Sequence, residues 1–563
     1  MAPQTDFSPL VYRNFAPEKL SELCTQAARF VLEQTSEKEG HLISSLAVTE
    51  LTVALHYVFN TPHDILIWDV GHQAYLHKVL TDRADVFNSN RKNGGISGFT
   101  NRLEGAFDPF GAGHSTTSIS AIGGFAEASH LQNISRKHIA VIGDGALTGG
   151  MAFEALNHLG TTGLDILLIL NDNESSIDPN VGALHEFQGY EDFFQSLGWG
   201  YTGPINGHNL KELIKRLEDE KDAVGTRILH VKTKKQSLAK WRHQLGMNPV
   251  SNHKSESPQQ RAYQDIFTDK LIELARADEN IVAITPAMLS GSSLLRFQKQ
   301  FPNRTFDVGI AEQHAVTFAA GLAASGMKPI VHLYSTFAQR AYDQIIHDVA
   351  LQNLPVVFAL DRAGLVGEDG ATHHGAFDLS FLNPIPNLQI LAPMTGAELE
   401  RMLAYAFTQS GPVSIRFPRG SEEVFRGEDI PMQQGSFREL KKGDKLCVVS
   451  LGTIGVRVES ALANLPDKNI GHIDLRFLKP WNDDALKDAL APYSIILSAE
   501  EGSMKGGLRD SLANWLEQFL PGKTFYSIGL PDRFITHASP LELEAEVGLT
   551  SAKIRDLLED LLA

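Results

Sequence analysis

Two short segments carry residue types suited to holding a charged ligand. Gly143-Asp144-Gly145-Ala146 follows the apolar run 139–142, and Asn171-Asp172-Asn173 closes the run 166–170. Continuous apolar runs of this length are what parallel strands buried on both faces look like. An acid and an amide therefore stand at the carboxyl ends of two expected strands. Asn173 lies 29 residues beyond Asp144. That leaves room for a crossover helix, which residues 147–159 supply. Open α/β sheets bind ligands outside the carboxyl ends of their strands. One carboxylate, one amide oxygen and a glycine turn suit a Mg2+ ion that holds a diphosphate, because this hard cation takes oxygen ligands and keeps some of them from phosphate. Asp-Gly by itself marks many ordinary turns; the strands and the spacing give the pair its weight.

A second constellation lies further along. Asp307-Val308-Gly309-Ile310-Ala311-Glu312-Gln313-His314-Ala315 reads as a strand running into an Ala-rich helix, with Glu312 near the helix start. An acid there is favoured by the helix dipole whatever else it does. Tyr334-Ser335-Thr336-Phe337-Ala338-Gln339-Arg340 follows the next strand. A lone Phe is usually core; Phe337 stands out because an acid, then a strand, then an aromatic with Gln-Arg recur in order.

The elements that must position these residues alternate. Residues 20–34 and 45–59 read as amphipathic helices, and 65–70, 139–143, 166–171 and 227–233 as short strands, which implies a parallel sheet covered by helices. From 234 to 260 the apolar spacing breaks, as in a linker or loop. A second α/β series follows, with strands expected at 281–285, 305–308, 329–333, 356–360, 389–392 and 413–417. The polar stretch 421–444 leads to a third, with strands at 446–451, 470–474, 494–499 and 524–528. The expected fold is α/β: three successive α/β domains, over about 1–245, 255–425 and 440–563, with mostly parallel sheets flanked by helices.

At 563 residues the chain is too long for one core. Its net charge of −17 argues against nucleic acid or an anionic membrane surface as the main partner. Two cysteines, Cys24 and Cys447, make no disulfide framework. The first ten residues lack the pattern of a secretory signal, and no run nears the ~20 apolar residues of a membrane span. A cytoplasmic location is expected.

In this setting the Asp144 and Asn173 pair resembles the diphosphate-anchoring motif of thiamine diphosphate enzymes. Such chemistry also needs a carboxyl group hydrogen-bonded to the aminopyrimidine, the place Glu312 takes. Motif for motif, the chain resembles the 1-deoxy-D-xylulose-5-phosphate synthase family of transketolase-like enzymes along nearly its whole length. The similarity rests on Gly40-His41-Leu42, Asp69-Val70-Gly71-His72-Gln73-Ala74-Tyr75, Gly113-His114-Ser115, the two anchor segments, Ala311-Glu312-Gln313-His314-Ala315, Tyr334-Ser335-Thr336-Phe337, Asp361-Arg362-Ala363-Gly364, Gly370-Ala371-Thr372-His373-His374-Gly375, Arg416-Phe417-Pro418-Arg419-Gly420, Gly452-Thr453, Glu500-Glu501-Gly502 and Gly529-Leu530-Pro531-Asp532.

The resemblance implies condensation of pyruvate with D-glyceraldehyde 3-phosphate, with loss of CO2, to give 1-deoxy-D-xylulose 5-phosphate, a precursor of isoprenoids, thiamine and pyridoxal phosphate. It implies thiamine diphosphate and Mg2+ as cofactors, and a homodimer in which the first and second domains of one chain face each other across the cofactor. By the same resemblance Asp144 and Asn173 bind the metal with the backbone of Ser175. His72, Gly113, His114, Ser115, Gly145, Ala146 and Asn173 line the cofactor, Glu312 activates it and Phe337 stacks on it. Arg362 and Arg419 hold the substrate phosphate, to which guanidinium geometry is suited. Tyr334 and Asp369 position the acceptor, and His41, His72 and His373 are candidates for proton transfer. His374 divides evenly between structure and substrate contact.

Three departures set the chain apart from that family. The long insertion expected after the Asn-Asp-Asn strand is absent, and Val181-Gly182-Ala183-Leu184 leads almost directly to Tyr190 and Phe193. The expected Lys-Gly-x-Gly-Tyr reads Lys234-Lys235-Gln236-Ser237-Leu238, without the glycines that permit close backbone approach. The linker's Tyr/Trp-His-Gly has Trp241-Arg242-His243 as its nearest counterpart. A usual Gly near His41 is Ala47. The rival readings are a related carboligase or transketolase using another aldehyde, and a non-catalytic homologue that binds the cofactor.

Overall fold

The computed structural model describes residues 7–35, 41–174, 178–186, 189–247, 261–422, 430–466 and 468–563. The chain divides into two compact units between residues 255 and 256. No helix among the described residues is long and apolar enough to cross a membrane.

In the first unit, β1 (Ile65–Trp68), β2 (His138–Gly143), β3 (Ile166–Asp172), β4 (Gly200–Asn206) and β5 (Thr226–Lys232) form one sheet in the order β1-β2-β3-β5-β4. Every pairing is parallel. Side chains alternate faces along a strand. Leu66, Trp68, Ile139, Val141, Leu167 and Ile169 accordingly enter one core, while Ile65, Ile67, Ala140, Ile142, Ile166 and Leu168 enter another on the opposite face. Both faces are dry, which explains the unbroken apolar runs. Strand β4 escapes a hydrophobic reading because it is an exposed edge strand containing Pro204, a residue edges tolerate. The helix expected at 45–59 is two helices, Leu42–Leu46 and Thr49–Val58, since Val48 leaves helical geometry. Part of the expected linker is ordered. Ser237 caps the helix Leu238–Gln244 by accepting the Lys240 N–H, and Trp241 enters the first core. Residues 248–260 of that linker lie outside the described residues.

The second unit holds two sheets. One contains β6 (Ile281–Thr285), β7 (Thr305–Asp307), β8 (Lys328–Tyr334), β9 (Val357–Ala363), β10 (Gln389–Leu391) and β11 (Val413–Pro418). The other contains β12 (Arg438–Lys441), β13 (Leu446–Leu451), β14 (Ile470–Asp474), β16 (Ile495–Ser503) and β17 (Thr524–Leu530). Strand β15 (Phe477–Lys479) leaves the second of these and joins the first, giving the order β15-β10-β11-β9-β8-β6-β7 beside β12-β14-β13-β16-β17. Among the described strands of this unit, only β15 against β10 and β12 against β14 pair antiparallel. Neither antiparallel strand was expected from the sequence: β12 is mostly polar (Arg438-Glu439-Leu440-Lys441), and β15 follows β14 after only two residues.

The crossing to β15 turns on Arg476. Its backbone is left-handed (φ +60°) and its side chain is fully buried. Its guanidinium reaches both oxygens of Glu398, at 2.8 and 3.0 Å, and the carbonyls of Pro431 and Ile430. Its own carbonyl accepts the N–H of Ala392, just beyond β10. Glu398 is equally buried and also receives Arg401 at 2.6 Å. Removing one partner of such a pair strands the other's charge in the interior. Glu398→Ala is expected to cost about 3–5 kcal/mol in urea unfolding followed by tryptophan fluorescence, and a loss below 1 kcal/mol would show that the pair does not hold the crossing.

Candidate active site

The carboxyl ends of β1, β2, β3 and β5 lie along one edge of the first sheet, and the first-unit candidates gather there. Asp69 follows β1 and its N–H donates to the Val141 carbonyl on β2. Its carboxylate accepts the N–H of Thr116 at 2.8 Å and of Ser118 at 3.0 Å, tying the Gly113–His114–Ser115 loop to the end of β1. Val70 and Thr116 are β-branched residues at φ +59° and +69°, conformations that cost of order 1–3 kcal/mol each and persist only when surroundings dictate them. At Gly71 (φ +79°) a Cβ would sit 3.1 Å from the Ala112 Cβ and 3.2 Å from the Thr100 nitrogen. Ser45 Oγ donates to the His72 carbonyl and accepts the Tyr75 N–H. The rings of His41 and His72 lie 6.0 Å apart. His72 Nδ1 is buried with no hydrogen-bond partner. Burial, then His41 and Lys235, push this imidazole down to about 3, so it is neutral.

Asp144 opens the one-turn helix Asp144–Leu147, where Gly145 and Ala146 are also buried. Its Oδ2 accepts the Asn180 side-chain N–H at 2.8 Å. Burial and the adjoining Asp172 carboxylate raise Asp144 to about 7. Asp172 goes the other way: burial, the largest single effect, raises it, but the His230 hydrogen bond at 3.0 Å and charge, with hydrogen bonds from Asp144 and the Glu174 N–H, together hold it below the usual carboxylate range. Burial lowers the Lys235 ammonium, and Asp144 opposes the shift. Asn173 is half-buried just past β3, and Ser175 lies outside the described residues. Asn171 faces elsewhere, its Oδ1 accepting the Thr233 hydroxyl at 2.7 Å. Sequence reasoning assigned no role to Asp172, Asn180 or Lys235. Asp172 was visible inside Asn-Asp-Asn; Lys235 stood in a segment read only for its missing glycines. His243, in the counterpart of the linker motif, is exposed.

The second unit gathers the remaining candidates. Glu312 starts the helix Glu312–Ala324, is buried, and leaves Oε2 without a hydrogen-bond partner. Burial raises its pKa above the usual carboxylate range, against the pull of Arg340. Tyr334 ends β8, and its ring stacks on Phe337 at 5.3 Å; Phe337 meets His373 edge-on at 5.7 Å. The Arg362 guanidinium lies over the Tyr334 ring, 4.0 Å from its centroid, from a left-handed backbone (φ +58°) at the end of β9. Burial raises the Tyr334 phenol, with Arg362, Asp361, Arg419 and Asp369 acting on it in turn. Arg419 is exposed and donates to the Val366 carbonyl at 3.1 Å. Both His374 nitrogens are taken by backbone, Nδ1 by the Val366 N–H and Nε2 by the Thr536 carbonyl, which makes His374 structural.

These residues fit a thiamine cofactor with a hard cation. An orphaned buried carboxyl oxygen at Glu312 suits a ring nitrogen, and apposed carboxylates suit a dication. Among the described residues no three His, Cys, Asp or Glu side chains converge as a metal site. A metal at Asp144 would draw its other ligands from amide, backbone and phosphate oxygens, as Mg2+ does.

The chain matches known proteins along nearly its whole length. Residues 259–423 match the transketolase pyrimidine-binding domain and 435–554 the transketolase C-terminal domain, which defines a transketolase-like enzyme. Residues 7–192 and 186–233 match 1-deoxy-D-xylulose-5-phosphate synthase, and the chain belongs to that family. The 1-deoxy-D-xylulose-5-phosphate synthase of Chlorobaculum tepidum is 43% identical, covering 98% of each chain. That of Histophilus somni is 42% identical over 99% of this chain and 98% of its own. A crystal structure of transketolase from Campylobacter jejuni aligns with 96% of this chain and 99% of its own at 17% identity and a TM-score of 0.48.

The raised Asp144 has a measurable consequence in the ligand-free protein. A carboxyl that holds its proton more tightly when folded stabilises the fold fully below its unfolded value near 3.8, and loses that contribution as pH rises through about 7. Chemical denaturation of the apoprotein between pH 4 and 7 should show stability falling with this group, and Asp144→Asn should flatten the slope. An unchanged slope would mean that Asp144 is ionised throughout.

Proposed function

We propose that this chain condenses pyruvate with D-glyceraldehyde 3-phosphate, releasing CO2 and forming 1-deoxy-D-xylulose 5-phosphate, with thiamine diphosphate and Mg2+ as cofactors. The observation that carries the reading is the buried Glu312 carboxyl with an unpartnered Oε2, in a chain of this family. Thiamine diphosphate, when bound, supplies a carbon nucleophile and a sink for the electrons left by decarboxylation.

The chain's own residues bind, orient and move protons. In the first unit Asp144, with Asn173 and the Ser175 backbone, holds Mg2+ and through it the diphosphate, while Gly113, His114, Ser115, Gly145 and Ala146 line that end. In the second unit Glu312 hydrogen-bonds the pyrimidine and Phe337 stacks against it. Arg362 and Arg419 bind the acceptor phosphate by charge-assisted hydrogen bonds, and Tyr334 and Asp369 orient the aldehyde. His72, kept neutral by its surroundings, and His41 and His373 serve proton transfer around the carbonyl and hydroxyl oxygens. The working form is a homodimer.

Purified protein supplied with Mg2+, thiamine diphosphate, pyruvate and D-glyceraldehyde 3-phosphate should release CO2 and the pentulose phosphate together. Absence of decarboxylation with every aldehyde offered would overturn the enzymatic reading, and turnover only with another aldehyde would overturn the acceptor. Glu312→Gln should cut kcat by roughly 10²–10⁴-fold while calorimetry shows the cofactor still bound. Arg419→Ala, having lost a charged donor, should raise KM for the phosphorylated aldehyde about 10–100-fold and leave that for pyruvate within about twofold; equal effects on both would reassign this arginine.

A further inference from the structure

Three residues on adjacent strands form a chain that ends at the metal anchor. In the sheet register Leu170 stands beside His230 and Asp172 beside Lys232, while Tyr201 stands beside Ile228. With faces alternating every residue, Asp172, His230 and Tyr201 are diagonal neighbours on one face of β3, β5 and β4. The side chains meet: Tyr201 hydroxyl to His230 Nδ1 at 2.7 Å, and His230 Nε2 to Asp172 Oδ2 at 3.0 Å. An ionised carboxylate only accepts, so Nε2 carries the hydrogen, Nδ1 accepts, and the Tyr201 O–H donates. The other Asp172 oxygen accepts the Glu174 N–H at 3.2 Å. Both oxygens are thereby fixed, next to Asp144. His230 is 2% exposed, covered by the edge of Tyr190 at 5.2 Å.

We propose that His230, oriented by Tyr201, is a positioning residue for the metal–diphosphate anchor, acting through Asp172 on Asp144. The inference rests on the reading that Asp144 and Asn173 hold a divalent ion. Its physical content is direction. Lys232 Nζ stands 3.9 Å from the same Asp172 oxygen and is the competitor for it. With the imidazole N–H in place the carboxylate and its negative charge stay beside Asp144, where they would add to the attraction for a divalent ion. Without that N–H the carboxylate turns to Lys232 and the anchor loses charge and definition. Partners of this kind, one step removed from a metal, typically govern 10–100-fold in affinity.

Glutamine and asparagine at position 230 separate this role from packing. Gln places its amide N–H near the position of Nε2; Asn places it near Nδ1 and leaves Asp172 without a donor. Mn2+ titrations of the full chain with saturating thiamine diphosphate, read from the electron paramagnetic resonance of the free ion, give Kd directly. His230→Asn should raise the Mn2+ Kd about 10–100-fold, His230→Gln should stay within about threefold of wild type, and Tyr201→Phe should fall between. A folded His230→Asn protein with wild-type Kd, or Asn and Gln variants weakened equally, overturns the proposal. If neither histidine variant folds, an unchanged Kd in Tyr201→Phe overturns it. Wild-type protein that fails to take up Mn2+ with the cofactor defeats the anchor itself and this inference with it, whereas wild-type binding with unaffected variants defeats the relay alone.

Discussion

Parallel pairing is the constraint on which the candidate site depends. A parallel sheet sends every strand in the same direction, so the carboxyl ends of β1, β2, β3 and β5 share one edge. That edge receives Asp69, Asp144, Asp172 and Thr233, residues spread over more than half of the first unit's length. The first sheet of the second unit repeats the device. The ends of β8, β9 and β11 deliver Tyr334, Arg362 and Arg419, with Tyr334 in register beside Asp361 and Pro418 beside Ala363. A one-residue slip in any pairing would turn each of these side chains to the opposite face. Dry cores on both faces of the first sheet oppose such slips.

Charges at these strand ends are held by dedicated neighbours, because an unpaired ion in a protein interior is costly. Asp69 satisfies two backbone N–H groups and fixes a loop; Arg476 and Glu398 neutralise each other where the chain crosses between sheets. Burial also raises Asp144, with the adjoining Asp172 adding to it, and Glu312, against the pull of Arg340. Glu500 and Asp474 are buried and raised as well, so a raised acid alone does not mark a site. What sets Glu312 apart is a buried Oε2 with no hydrogen-bond partner.

Most strands of the sheets were legible as apolar runs, and their observed ends differ by only a few residues. The exceptions have no separate apolar run: β4 is half-exposed at an edge, β12 is mostly polar, and β15 follows β14 after only two residues. The break at Val48 and the capped helix around Trp241 depend on local backbone geometry and on burial against a core formed elsewhere in the chain. The site followed the same division. Asp144, Glu312, Phe337, Arg362 and Arg419 are candidates singled out by motifs that sit beside expected strands. Asn180, Lys235 and His230 belong to no readable motif, and only their approach to Asp144 and Asp172 draws them out. His374, ambiguous beside His373, was resolved by two backbone hydrogen bonds.

The sequence by itself determined the α/β alternation, the strand ends that carry acids and amides, and the family resemblance. All three are local in origin: hydrophobic period, turn residues and short motifs are written in consecutive positions. Tertiary structure alone decided which acids are buried beside one another, which histidine is neutral, which carboxylate is braced and which sheet β15 joins. Those outcomes depend on desolvation and hydrogen bonds between residues far apart in the chain, such as His230 against Asp172 or Arg476 against Glu398. No local pattern encodes an energy that arises only when distant strands are brought into register.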